Sequence, residues 1–293
     1  MSEDQGVFVA NTVFVDQTGT TSCRWADPPI LYKYRQPSLR SLESLCLEQI
    51  WFAQPKTFND PFESSKFMDE AVIEEMLRKW REDGGPLDKE KAKKAVDIIN
   101  REIDESGIFC LCRTADNLAM WSYYGKGEDE VGLKGFAVGY DLVRLFDDLD
   151  PLKKGNRECT PRNRYVLEVA YRSELDVPNI HTLIDSVVEK KGLEFQKMHA
   201  TKATDFAHEG EVRIVIPPSV YLPPKEKAWS GHGAYRHARG AIREIVFGEL
   251  IEPVHEEMIR KSMAGRDVVF KRAIRDPKTM GIVLESESGR NET

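Results

Sequence analysis

Segments with strand patterns outnumber segments with helical patterns along this chain, and the two kinds do not alternate regularly. The strand patterns cover residues 30–35, 50–55, 108–112, 135–140, 165–171, 211–216, 243–248, 267–271 and 280–284. Regular alternation would favour a doubly wound parallel sheet, whereas this order favours strands and helices that are segregated in the fold. We therefore predict an α+β fold with a mixed or antiparallel sheet core.

Helical patterns occupy fewer segments. Leucines recur at helical spacing in residues 38–49, behind the start signal Pro37-Ser38. Two amphipathic patterns lie within residues 66–106, and we predict that they form an inserted helical hairpin that is a lid or a flank of a site rather than part of the sheet. Further helices are predicted at about 179–200 and 254–264.

These patterns predict one domain over residues 30–284. Residues 1–29 form an N-terminal arm that we expect to be partly flexible, since it ends in Asp27-Pro28-Pro29, which continues neither a helix nor a central strand. The tail, residues 285–293, is expected to be frayed.

Charge and hydropathy restrict the class of protein. The formal net charge of −7 gives no general attraction to nucleic acid or to an anionic membrane, although a local basic groove is compatible with it. No window approaches the roughly 18 apolar residues that a membrane helix needs, and the chain starts with the acidic segment MSEDQG. We expect a cytoplasmic protein of bacterial type that has no membrane partner.

The spacing of the cysteines and histidines indicates no metal site. The five cysteines include no C-x-x-C pair, and the six histidines show no H-E-x-x-H spacing. Cys110 and Cys112 lie two apart in a strand pattern, so they share one face and are interpreted as small core residues.

Four stretches combine aromatic and polar side chains in ways that a plain core does not require. They are residues 31–35, 50–63, 120–125 and 202–213. In the first, strand alternation places Tyr32 and Tyr34 on one face and the cations Lys33 and Arg35 on the other. The alternative is a half-buried strand whose cations reach solvent.

The second and third stretches offer rings and turn residues. Trp51 and Phe52 precede the motif FNDPFE, in which Asn59 and Asp60 either face a ligand or only cap a turn. Trp121 lies in MWSYYG, which suits a flat wall for a ring but is explained nearly as well by a hydrophobic corner.

The fourth stretch contains the candidate catalytic residues. Glu209 and Glu211 flank Gly210 where a loop enters an apolar strand, and the glycine lets the backbone bend so that the two carboxylates converge. Arg213 shares the face of Glu211 and is placed to hold that carboxylate. The alternative is a salt-bridged strand edge.

Taken together, LYKYR, the run from IWF to FNDPFE, MWSYY followed by GFAVGYD, and the E-x-E-x-R strand resemble the bacterial family catalogued as domain of unknown function 2971. That resemblance covers about residues 30–270 and implies no established activity. His208 stands where the family usually has an aromatic residue, and Ala53 where it often has serine.

The order of the motifs is also similar to that of the ADP-ribosyltransferase superfamily, which implies NAD as cofactor. Carried over by position, Tyr32 or Lys33 would hold the NAD ribose or amide, and Trp51 or Phe52 would stack on nicotinamide. Glu211 would polarise the ribose towards an oxocarbenium-like transition state. The histidine or arginine usual in the first motif is absent.

The cations and the first glutamate have further candidate roles, and two alternative functions stay open. Lys33 and Arg35 suit a pyrophosphate, and Glu209 would orient an acceptor, either protein or nucleic acid. The first alternative is a non-catalytic protein that binds a nucleotide or nucleic acid, in which the rings stack a base. The second is a metal-dependent nuclease using Asp60, Glu63 and the two later glutamates.

Any binding function predicts that the motifs share one pocket. The residues expected to converge are Tyr32, Lys33, Trp51, Asn59, Trp121, Glu209, Glu211 and Arg213.

Overall fold

A computed structural model describes most of the chain between residues 30 and 287. The described residues are 7–8, 12–15, 21–22, 24–25, 30–58, 60, 74, 78, 81–82, 100–101, 103–147, 149–151, 164–173, 199–218 and 230–287. The predicted helical hairpin at 66–106 and the predicted helix at about 179–200 lie almost entirely outside these ranges.

The described residues form many strands and few helices. The strands are β1 (Val7–Phe8), β2 (Thr12–Val15), β3 (Thr21–Ser22), β4 (Arg24–Trp25), β5 (Ile30–Arg35), β6 (Gln49–Phe52), β7 (Gly107–Cys112), β8 (Phe136–Asp141), β9 (Asp150–Pro151), β10 (Arg164–Glu168), β11 (Ala170–Arg172), β12 (Thr201–Ala203), β13 (Glu211–Ile216), β14 (Gly233–Arg236), β15 (Ile242–Gly248), β16 (Val269–Asp276) and β17 (Gly281–Ser286). The helices are α1 (Leu39–Cys46), α2 (Leu118–Tyr123), α3 (Leu142–Asp147) and α4 (Pro253–Ser262).

One ten-stranded sheet dominates the fold, in the order β17-β16-β15-β8-β5-β7-β13-β10-β2-β3. Its pairs are antiparallel except β10 with β2 and β15 with β16. The prediction of an α+β fold is therefore confirmed. Strand β2, which lies in the predicted N-terminal arm, adds to this sheet beside β10.

The segment 165–171 was predicted as one strand but forms two. The chain leaves the large sheet after β10, and β11 pairs in parallel with β12 instead. At the break, the backbone N–H of Val169 donates to the carbonyl of Glu211 at 3.1 Å. This switch brings β12 next to the start of β13.

Alternation along the strands gives the large sheet two different faces. The helix face, which carries Leu31, Phe109 and Ile214, packs against leucines of α1 and α3, Ile259 of α4, and strand β6. The site face carries Tyr32, Cys112 and Arg213, together with Tyr34. All the residues of β13 are buried.

Strands β5 and β7 are neighbours that pair over very little of their length. Their register contains one residue pair, Tyr32 with Cys112, whereas β5 pairs with β8 over six residues. Near the other end of β7, Ile108 forms an isolated antiparallel bridge with Ala53. Between these two points the sheet is open beside Cys110, whose carbonyl accepts a hydrogen bond from Lys33 Nζ at 3.0 Å.

The two tryptophans of the candidate motifs have opposite surroundings. Trp121 is fully buried, its Nε1 donates to the carbonyl of Ala115 at 2.8 Å, and its ring meets that of Tyr34 edge to face. Trp51 is 52% exposed on β6 and stacks with the guanidinium of Arg40. Only the first ring belongs to the hydrophobic core.

We expect Trp121→Ala to lower the free energy of unfolding by about 3–5 kcal/mol, because the substitution leaves a large cavity in the core. Trp51→Ala should cost about 1 kcal/mol or less, since it removes only an exposed cation–π contact. Urea denaturation of both variants measures the difference. Similar losses in the two variants would contradict this assignment of the core.

Candidate functional site

A cavity of about 350 Å³ opens on the site face, where β5 and β7 separate. It is lined by Tyr32, Lys33, Tyr34, Thr57, Phe58, Cys110, Leu111, Cys112, Met120, Tyr124, Lys202, Glu209, Glu211 and Arg213. The lining thus combines aromatic rings, three cations and two carboxylates. Such a mixture is typical of small-molecule sites.

Five of the predicted site residues meet in this cavity. They are Tyr32 and Lys33 from β5, Glu209 from the end of a 3₁₀ turn, and Glu211 and Arg213 from β13. Strand alternation places Lys33 on the helix face of β5. Its side chain nevertheless reaches the cavity through the gap beside Cys110. The opening in the strand ladder therefore makes both faces of β5 contribute to one site.

Trp51, Phe52 and Trp121 do not line this cavity, so the structure does not bring these rings together with the two glutamates. Strand β6 belongs to a separate three-stranded sheet with β14 and β9, where Phe52 is buried in the core and Trp51 faces solvent. Trp121 is held in the core by its hydrogen bond to a backbone carbonyl.

Arg35 is also absent from the cavity lining. Its Nη1 donates to Ser44 Oγ at 2.7 Å, so the side chain is directed to α1 on the helix face. Of these two cations, only Lys33 therefore reaches the cavity.

The FNDPFE motif touches the site through its first half. Phe58 lines the cavity, and its ring lies 5.4 Å from the guanidinium carbon of Arg213. Asp60 is buried, and its charge favours the protonated form of Arg213. Asn59 and Glu63 lie outside the described residues.

The two glutamates converge because of the backbone between them. Gly210 has φ 53°, in the left-handed region that glycine adopts without strain. Glu209 and Glu211 consequently both approach Lys202, whose Nζ lies 2.6 Å from Glu209 Oε2 and 3.5 Å from Glu211 Oε2. The convergence expected from the sequence is present.

Arg213 holds Glu211 with a two-pronged hydrogen bond. Its Nε donates to Oε1 at 3.0 Å and its Nη2 donates to Oε2 at 2.8 Å, while Nη1 donates to the carbonyl of His199 at 2.6 Å. The geometry fixes the plane of the carboxylate, because the guanidinium is rigid. Glu211 is thus oriented before any ligand arrives.

Burial sets the protonation of these groups. It raises the pKa of Glu211, while the charge of Lys202 opposes that rise. It lowers the pKa of Arg213 to about 9, so the guanidinium stays protonated at neutral pH. For Lys202, burial lowers the pKa, but Glu211 and Glu209 outweigh it and the net shift is upward.

Burial also shifts the pKa of Lys33 on β5 and the pKa of Cys110 on β7. It lowers the pKa of Lys33, with the nearby carboxylates acting in the opposite direction. It raises the pKa of the Cys110 thiol well above its usual value, and the charge of Glu211 adds to that rise. Cys110 is therefore a protonated thiol at neutral pH.

Nine residues that line the cavity are not among the predicted site residues, and four of these nine contact its charged side chains. Lys202, Phe58 and Tyr124 lie in stretches that had been singled out, but the more conspicuous tryptophans and glutamates were chosen there. Tyr124 donates to Glu209 Oε1 at 3.1 Å. The fourth, Cys110, was interpreted as core; it is only partly buried, and its position on the site face was the available signal.

The carboxylates of the site pair with cations of the chain. Within the described ranges, no group of three or more His, Cys, Asp and Glu side chains is placed to hold a metal ion. Likewise, no helix among the described residues is long and apolar enough to cross a membrane.

Comparison with known proteins gives one match. Residues 120–214 match the model of a family described as protein of unknown function, DUF2971. This confirms the resemblance to that family, and the matched segment contains Tyr124, Lys202, Glu209, Glu211 and Arg213. No curated protein and no solved structure matched the chain, so the resemblance to ADP-ribosyltransferases stays a prediction.

We expect Lys202→Met to destabilise the fold by about 3–5 kcal/mol, because it leaves two buried carboxylates without their shared cation. Adding Glu209→Gln should recover much of that loss, since one of the two charges is then removed. Thermal or urea unfolding of the single and double variants measures the coupling. Strictly additive losses would contradict the bridging role of Lys202.

The buried histidine beside Arg213 predicts a pH effect. Burial lowers the pKa of His199 from 6.5 to about 4, so the unfolded chain takes up a proton at a higher pH than the folded chain does. His199 should therefore cost stability as the pH falls from 6.5 towards 4, by about 2–3 kcal/mol at the acid end. The difference in unfolding free energy between wild type and His199→Gln, followed from pH ~7.5 to ~4.5, measures it; a difference that does not change with pH would contradict it.

Proposed function

We propose that this chain, a relative of the DUF2971 proteins, is an NAD-using transferase of the ADP-ribosyltransferase type. The activity would move the ADP-ribose part of NAD to an acceptor and release nicotinamide. The catalytic carboxylate would be that of Glu211.

The observation that carries the proposal is the meeting of β5 and β13 at one cavity. Tyr32 and Lys33 come from the first motif and Glu211 from the last, in the order that the resemblance requires, and all three line the same cavity. Nothing local in the sequence brings these segments together. Their convergence supports a shared ligand.

The lining fits the chemistry of the nicotinamide and ribose part of NAD. Tyr32, Tyr34, Phe58 and Tyr124 provide aromatic surface for a planar ring. Glu211 provides a carboxylate for ribose hydroxyls. When bound, NAD supplies an electrophilic ribose carbon whose bond to nicotinamide can break.

Glu211 has the properties of a preorganised charge. It is buried, and the Arg213 fork holds both its oxygens, so its orientation needs no adjustment during the reaction. A fixed carboxylate beside a developing positive charge stabilises the transition state more than the ground state. Arg213 and Lys202 act as positioning residues for it.

Glu209 is suited to orienting the acceptor. Lys202 and Tyr124 each bind one of its oxygens, which keeps it at the cavity beside Glu211. The acceptor would be a protein or a nucleic acid. The stacking role predicted for Trp51 or Phe52 would pass to Phe58 or Tyr124, which line the cavity.

One observation favours a second function, non-catalytic binding of a nucleotide or of single-stranded nucleic acid. Both carboxylates are paired with cations of the chain, Glu211 with Arg213 and Glu209 with Lys202. Ion pairs of this kind can serve only to build the walls of a pocket whose rings stack a base.

Replacing Glu211 by Gln separates the two functions. The substitution preserves shape but removes the charge, so nicotinamide release should fall by about 10²–10³-fold, equivalent to about 3–4 kcal/mol at the barrier. NAD binding should persist. The assay incubates purified protein with labelled NAD, cell extract and nucleic acid, and measures free nicotinamide and label transfer.

Glu168→Gln is the matched control. Glu168 lies on the neighbouring strand β10 and also pairs with an arginine, Arg113, but it does not line the cavity. It should leave turnover unchanged, and thermal unfolding of both variants shows whether each is folded. If wild type binds a nucleotide but releases no nicotinamide, and Glu211→Gln binds it equally, the transferase is excluded and the binding function takes its place.

A further inference from the structure

A second group of charged side chains surrounds the C-terminal end of α1, on the helix face of the large sheet. Its centre is Glu48, whose Oε1 lies 3.3 Å from Arg266 Nη1 and whose backbone carbonyl accepts from the N–H of His237 at 2.9 Å. Arg35 reaches the same end of α1, where its Nη1 donates to Ser44 Oγ. None of these residues lines the cavity, so the group is separate from the site described above.

Several nitrogen atoms of this group are buried and have no hydrogen-bond partner among the described residues. They are Arg35 Nε, His237 Nε2, and Arg266 Nε and Nη1. His237 is 2% exposed, and the side chain of Arg266 is 9% exposed. Arg266 Nη1 is close enough to Glu48 for an ion pair but makes no hydrogen bond to it. Because buried polar atoms are normally hydrogen-bonded, these nitrogens are available to a ligand.

The charges of the group are also unbalanced. The guanidiniums of Arg35 and Arg266 meet one carboxylate, that of Glu48, and the hydroxyl that Arg35 binds is neutral. A third guanidinium, the exposed one of Arg239, lies 4.0 Å from the same oxygen of Glu48. Within the described ranges, no other carboxylate lies within 4.0 Å of these three arginines. A water molecule would complete a hydrogen bond but leave this excess charge, whereas an anion compensates both.

We propose that this group is a binding site for a phosphate group, free or as a monoester, between the end of α1, strand β5 and the loop after α4. Arg35 and Arg266 bind the anion with charge-assisted hydrogen bonds. His237 contacts it through Nε2, since its Nδ1 already donates to the carbonyl of Ala238 at 2.8 Å. The inference goes beyond the proposed function and does not depend on it, because the two sites share no residue.

His237 couples this site to pH. Burial lowers the pKa of His237, and the charges of Arg35 and Arg266 lower it further, while the charge of Glu48 acts in the opposite direction. The ring of Tyr140, whose centroid lies 5.6 Å from that of His237, adds no charge. A bound anion offsets the two arginines and so raises this pKa. By linkage, the anion binds more tightly as the pH falls.

Two substitutions should change the affinity for inorganic phosphate in opposite directions. Arg266→Met should weaken binding about 10–100-fold, because it removes a charge-assisted donor. Glu48→Gln should tighten binding about 3–10-fold, because it removes the competing carboxylate; a gain in affinity cannot arise from a misfolded variant. Arg275→Met is the matched control, since Arg275 also pairs with a glutamate, Glu249, and should leave the affinity unchanged. Isothermal titration calorimetry at constant ionic strength measures each affinity.

The imidazole of His237 reports where the anion binds. Its NMR signals, assigned by their absence from His237→Gln, should titrate at a higher pH with sulfate bound; sulfate itself does not titrate between about pH 5 and 8, where histidines do. Glycerol 3-phosphate that binds at least as tightly as inorganic phosphate identifies a monoester as the ligand, and weaker binding identifies the free anion. The inference is overturned if wild type binds neither phosphate nor sulfate saturably, if Arg266→Met binds phosphate as wild type does, or if sulfate leaves the His237 titration unchanged.

Discussion

The paired charges around Arg213 are the interaction on which the site depends. Glu211 and Glu209 are buried, and carboxylates in a low-dielectric interior are stable as ions only when cations and hydrogen bonds compensate them. Arg213 and Lys202 provide that compensation from two different strands. Removing either cation would leave a buried charge without its partner, so β12, β13 and the turn between them are coupled electrostatically.

This network lies where the large sheet is interrupted. Strands β5 and β7 pair at one position, and the space that a continuous ladder would have filled becomes the cavity. Lys33 crosses this gap to the carbonyl of Cys110, which satisfies an acceptor that has no strand partner among the described residues. The interruption of the strand ladder and the cavity therefore have the same origin.

Much of the fold could be predicted from the strand patterns in the sequence. The predicted strands at 30–35, 108–112 and 211–216 are present as β5, β7 and β13, because alternation between apolar and other residues is a local property. The sequence failed at 165–171, where one continuous pattern divides between two sheets. The sequences of β10 and β11 have the same strand pattern. Which sheet each one joins depends on the strand that it pairs with.

The sequence by itself determined which side chains share a face. Period-two alternation placed Glu211 with Arg213, and Gly210 gave the bend that brings Glu209 alongside, since both effects act within a few residues. Only the tertiary structure decided which faces meet. Aromatic residues are stabilised both in a core and at a ligand wall, so the sequence did not reveal that Trp121 is buried in the core while Phe58 lines the cavity. Lys202 meets the two glutamates because the chain folds back between β12 and β13 through the 3₁₀ turn Thr204–Glu209, a conformation that spacing along the chain did not reveal.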